Sequence, residues 1–129
     1  MKTFLTVSLI LLMTAFVAYA GDYEVTKKAG DLNVAIRIDK NPPVAGTNNV
    51  EIGVTDASGK AITGAKVVLA YSMPAMTGMP PMNYKVDAVP AGNIYKARVN
   101  YSMSGSWNNE VRITRDGKTV SARFTIDAR

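Results

Sequence analysis

The stretch EVRITRDGKTVSARFTI, from Glu110 to Ile126, decides the fold class. Apolar and polar residues alternate from Glu110 to Thr114 and again from Thr119 to Ile126, the period of a half-buried strand. Between the two runs, Arg115-Asp116-Gly117-Lys118 supplies an Asp-Gly pair where a tight hairpin turn needs positive φ. A β-hairpin is expected here. Toward the N-terminus the same period recurs, whereas no window of about a dozen residues carries the three-four apolar repeat of an amphipathic helix. Tyr23 and Val25 alternate with polar residues, Ala29-Gly30-Asp31 offers a turn, and Leu32, Val34, Ile36 and Ile38 face one way, which predicts a first hairpin.

Asn41-Pro42-Pro43 ends that hairpin, since proline donates nothing to a ladder and restricts its predecessor. Val50, Ile52 and Val54 form a third strand that stops at Asp56-Ala57-Ser58-Gly59, a turn by its aspartate and glycine. Lys66 to Tyr71 is the fourth. Its run Val67-Val68-Leu69-Ala70 is nearly continuous in apolar character and predicts burial on both faces or a central position. Tyr84 to Val89 and Ile94 to Tyr101 follow, separated by Pro90-Ala91-Gly92-Asn93. Seven to eight short strands with regular turn signals predict an all-β chain folded as an immunoglobulin-like β-sandwich, with a small barrel as the alternative.

The first twenty residues read differently. Lys2 gives a positive start, Phe4 to Val17 an apolar run, and Ala18-Tyr19-Ala20 the small-x-small pattern of a cleavage site, so residues 1–20 are expected to be a signal peptide. The run is shorter than the roughly 18 to 20 residues a spanning helix needs, and no second one follows, so no stable membrane anchor is expected after cleavage. The domain is then 21–129, near the common size for one core. Periplasmic or secreted localisation follows from that reading.

Removing Lys2 with the leader leaves 14 Lys and Arg against 10 Asp and Glu, a net charge of +4. The basic residues are scattered singly, apart from Lys27-Lys28, and form no stripe of the kind nucleic acid recognition uses. No cysteine and no histidine occur anywhere. Disulfide staples, thiolate chemistry and imidazole ligands are therefore all excluded. A hydrolytic enzyme would lack its usual nucleophile and base as well. Asp56 and Asp116 sit in turns and Glu51 and Glu110 singly in strands, so no catalytic residue is expected.

Between the fourth and fifth strands lies SMPAMTGMPPM, residues 72–82, which sets Met73, Met76, Met79 and Met82 at intervals of three. Three is the period of polyproline II, which Pro74, Pro80 and Pro81 favour, and in that form the thioethers would line one edge at roughly 9 Å intervals. A shared ligand site would need the segment to fold back at Gly78. Thioether sulfur is soft and has no proton to lose, which suits Cu(I) or Ag(I) and disfavours zinc. Met103 and Trp107 could add a sulfur and an aromatic face. The competing reading makes Met73, Pro74, Met76, Met79, Pro80, Pro81 and Met82 an apolar docking surface for an envelope partner such as an efflux adaptor, because methionine adapts to irregular contacts. Trp107 taken alone reads as core.

Three stretches carry a resemblance. The lead-in from Asn41 to Asn48 with its Pro-Pro and Gly-Thr-Asn, the methionine segment, and Tyr101-Ser102-Met103-Ser104-Gly105-Ser106-Trp107 together resemble the YtkA-like domain, related to FixH-like proteins. The resemblance implies an exported bacterial domain with an immunoglobulin-like fold, in a family associated with heavy-metal efflux or with copper supply to respiratory oxidases. It implies an envelope efflux or copper-handling partner. FixH-like relatives commonly keep an N-terminal anchor, whereas this leader ends in a cleavage pattern.

Overall fold

The computed structural model describes residues 22–129, so the expected signal peptide lies outside the described residues. Among the described residues, nine strands follow one another without an intervening helix: β1 (Tyr23–Ala29), β2 (Leu32–Ile38), β3 (Gly46–Thr55), β4 (Lys66–Met73), β5 (Met82–Asp87), β6 (Val89–Ala91), β7 (Ile94–Tyr101), β8 (Gly105–Arg115) and β9 (Lys118–Ala128). They form two antiparallel sheets, β1-β2-β3-β7-β6 and β5-β4-β8-β9. Setting β1 aside, the first order is that of the A-B-E-D sheet of an immunoglobulin sandwich and the second that of its C′-C-F-G sheet. β1 extends the first sheet by one strand, paired with β2 from Tyr23↔Ile38 to Ala29↔Leu32.

Period-two patterning sends one side of each strand into a common core. Val34, Ile36, Val50, Ile52, Val54, Tyr95 and Val99 from the five-stranded sheet are fully buried, as are Leu69, Trp107, Val111 and Ile113 from the other. Polar groups within this core are paired. Tyr95 donates its hydroxyl to the Ile62 carbonyl at 3.0 Å and accepts from the Ala65 amide at 3.1 Å. Buried Asn48 closes the 44–46 turn by accepting from the Val44 amide and donating to the Val44 and Gly46 carbonyls. Asp56 holds its own turn, accepting from the Ser58 hydroxyl and the Ser58 and Lys60 amides.

One expectation is met in one of its two alternatives, and another is corrected. β4 is central, between β5 and β8, but it is not buried on both faces: Val67, Leu69, Tyr71 and Met73 point inward while Val68, Ala70 and Ser72 stay half-covered. The outer neighbours are Lys85, Asp87, Glu110 and Arg112, whose charged heads keep that face wet and leave short apolar side chains between them. The single strand expected over Tyr84 to Val89 is two. The chain leaves the four-stranded sheet after Asp87, Ala88 donates its amide to the Val67 carbonyl at 2.9 Å, and Val89–Ala91 joins β7 in the opposite sheet. This switch raises the count to nine.

Candidate functional site

β4 and β5 pair from Val68↔Asp87 to Met73↔Met82, and residues 74–81 connect them. The connection is not an extended polyproline edge. Met76 donates its amide to the Met79 carbonyl at 3.1 Å, and Met79 donates to the Met76 carbonyl at 2.8 Å. A polyproline II segment makes no internal hydrogen bonds, and here two of them outweigh the preference of the three prolines. Gly78, at φ +79°, takes the left-handed conformation that the tight return requires. The fold-back at Gly78 is therefore present, and the period of three acquires another meaning. Met73 faces Met82 across the end of the ladder, and Met76 faces Met79 across the tip.

The two pairs differ in surroundings. Met73 is 3% exposed and belongs to the core, while Met82 is half-buried against it. Met76 and Met79 are 46% and 38% exposed. The turn between β7 and β8 lies over the inner pair. Ser102 donates its hydroxyl to the Met82 Sδ at 3.4 Å. A Cβ on Gly105 would come within 3.1 Å of the Met73 Cε and push that methyl aside by a few tenths of an ångström, so the two are in close approach. The same turn carries Met103, half-buried, whose carbonyl accepts the Trp107 indole N–H at 2.9 Å.

Below the sulfurs is an aromatic cluster. Trp107 is fully buried and packs against Tyr71, Tyr84 and Tyr101 at ring-centroid separations of 6.0, 6.1 and 5.4 Å. Tyr71 stacks on Tyr84 across the β4–β5 ladder at 5.4 Å. Tyr101 donates its hydroxyl to the Asn109 Oδ1 at 2.8 Å, and burial pushes its phenol pKa above the ordinary value, so it stays neutral. Only Tyr84 in this group reaches solvent, at 42% exposed.

The structure thus brings Met73, Met82 and the turn bearing Met103 together beside Trp107, and places Met76 and Met79 farther out on the same hairpin. Pro74, Pro80 and Pro81 lie between the pairs and are exposed. Among the described residues, no group of three Asp or Glu is placed to hold a hard cation, and no buried side-chain nitrogen or oxygen lacks a partner. The side chains that the hairpin sets in cross-strand pairs are thioethers, which suit soft monovalent ions. An open depression on the outer face of β4, β5, β8 and β9, lined by Lys85, Glu110, Arg112 and Arg123, contains no methionine.

Sequence reasoning passed over Ser102, Gly105 and Tyr84. Tyr84 could have been found from its position two residues beyond Met82, on the same face of a strand. Gly105 had a weaker signal, as the one glycine between Met103 and Trp107.

A family model described as YtkA-like matches residues 26–112. No curated protein and no solved structure matches the chain.

Proposed function

The chain belongs to the YtkA-like family, and from that premise we propose that it is an exported, non-enzymatic envelope protein that binds Cu(I) or Ag(I) through its methionine hairpin. It buffers the ion or passes it to an efflux or copper-handling partner in the periplasm or outside the cell. The observation that carries this reading is the cross-strand pairing of the methionines: Met73 faces Met82 and Met76 faces Met79. Thioethers keep their lone pairs at any pH, and the chain has no thiolate or imidazole to compete for the ion. Trp107 and the tyrosines form the floor that holds β4, β5 and β8 in place.

A second reading has its own observation. Met76, Met79, Tyr84 and Val89 are the exposed large hydrophobic residues of the described chain, and all four fall between residues 76 and 89. β5 and β6, which carry two of them, stand at the edges of their sheets. Apolar side chains gathered along one edge suit a protein partner.

An anaerobic Cu(I) titration against a chromophoric chelator separates the two. We expect tight stoichiometric binding by the wild type and none by a variant with Met→Leu at 73, 76, 79 and 82, with both proteins folded alike by circular dichroism. Leucine keeps the apolar surface and removes the sulfur. No binding by either protein would overturn the ion reading and leave docking.

A further inference from the structure

We infer that the hairpin is not one four-sulfur site but two soft-ion stations in series, an inner one at Met73 and Met82 and an outer one at Met76 and Met79. The inference rests on the soft-ion reading above. Its geometry is that of the ladder. Residues directly opposite on antiparallel strands hold their Cβ atoms about 4.5–5.5 Å apart, so two flexible methionine side chains on one face can bring their sulfurs to a common ion. Each facing pair therefore matches one ion held between two sulfurs. Successive pairs are three residues apart, about 10 Å along an extended strand. At that spacing the nearest partner of each sulfur is the one across its own pair, and the two Met76–Met79 backbone bonds keep the tip closed on itself.

The stations are chemically alike and environmentally opposite. The inner pair is covered by the β7–β8 turn, and one lone pair of the Met82 sulfur already accepts the Ser102 hydroxyl, which fixes the orientation of the other. Met103 stands on that turn as a further sulfur for the inner station. Met73 is buried and Met82 half-covered there, so an ion between them leaves more slowly than one at the open tip. The outer pair is open to solvent and to any partner that approaches the tip. It exchanges quickly. An ion enters and leaves by Met76 and Met79 and is retained by Met73 and Met82.

The test is a titration with Ag(I), which needs no reductant, followed by native mass spectrometry and by NMR of methionines carrying ¹³C methyl groups. Two silver ions per chain are expected, with the Met73 and Met82 methyls giving separate free and bound signals and the Met76 and Met79 methyls giving averaged ones. M76L/M79L should bind one ion and keep the slow signals, and M73L/M82L should bind one ion and keep the fast ones. If burial makes the second variant unfold, the first decides, because its residues lie at the exposed tip. A single ion that moves all four methyls together, lost entirely in M76L/M79L, would overturn the two stations while leaving the soft-ion reading intact. No silver bound by the wild type would overturn both.

Discussion

The β8–β9 hairpin and the β4–β5 hairpin stand in one sheet, on one core, and close in opposite ways. The first keeps register through eleven pairs, from Gly105↔Ala128 to Arg115↔Lys118, and turns on Asp116 and Gly117 alone, at φ +52° and +74°. Two residues of left-handed conformation suffice for a hairpin whose twist matches its strands. The second keeps register through six pairs, then opens over Pro74-Ala75 and Pro80-Pro81 and closes again at Met76 and Met79. Residues 74–81 are more than the sheet needs. The β4–β5 hairpin thus carries two extra thioethers to a tip that closing the sheet does not require.

The two hairpins meet at Trp107, which sits on β8 and packs on Tyr71 and Tyr84 of the other. Trp107→Ala should give the largest effect, a loss of about 3–5 kcal/mol in urea unfolding, because it opens a cavity beneath both hairpins. A loss under about 1 kcal/mol would mean the hairpins are not coupled there. Smaller in size but sharper as a comparison is one substitution made twice. Gly117→Ala forces alanine into a left-handed conformation costing about 1–2 kcal/mol, and the tight turn has no way to relax. Gly78→Ala meets the same strain at φ +79°, but the tip can open by giving up two backbone bonds, so the global loss should be smaller. Equal losses would show that the tip is as cooperative as the rest of the sheet.

The smallest effect belongs to the charged face of the β8–β9 hairpin. Glu110 accepts from Arg112 and from Arg123, its partner across the ladder, and these bonds, that of Arg112 foremost, hold its pKa below the ordinary carboxylate range. A carboxylate with a lowered folded pKa stabilises above its unfolded value, about 4.3, and that stabilisation is lost as pH falls through the folded value. Glu110→Gln should therefore cost at most about 1 kcal/mol at pH 7, since both arginines are exposed. The difference from wild type should close below about pH 4. A difference that persisted in acid would point to shape rather than charge.

These contrasts also mark what could be read from the residues alone. The β8–β9 hairpin was legible because its information is local: alternation on both sides and Asp-Gly between. The first hairpin and the Asp56 turn were legible for the same reason. The division of Tyr84 to Val89 into two strands was not, because a chain that changes sheets keeps its alternation, and what decides the change is the Ala88 amide finding the Val67 carbonyl. Likewise the three prolines argued for an extended methionine segment, and only the ladder below it shows that Met73 and Met82 already face each other. Trp107 read as core on its own, and its indole N–H bond to the Met103 carbonyl depends on a turn that no spacing reveals.

The strand order carries a kinetic consequence as well. β3 is flanked by β2 and β7, and β4 by β5 and β8, so Gly46 waits for Tyr101 and Lys66 for Thr114. Pairings this distant along the chain are reached late, and domains dominated by them fold in milliseconds to seconds rather than microseconds. Neither sheet can be completed while the second half of the polypeptide is missing. A nascent or threading chain of this kind stays open until nearly all of it has arrived, with β3 and β4 as the strands that most need shielding in the interval.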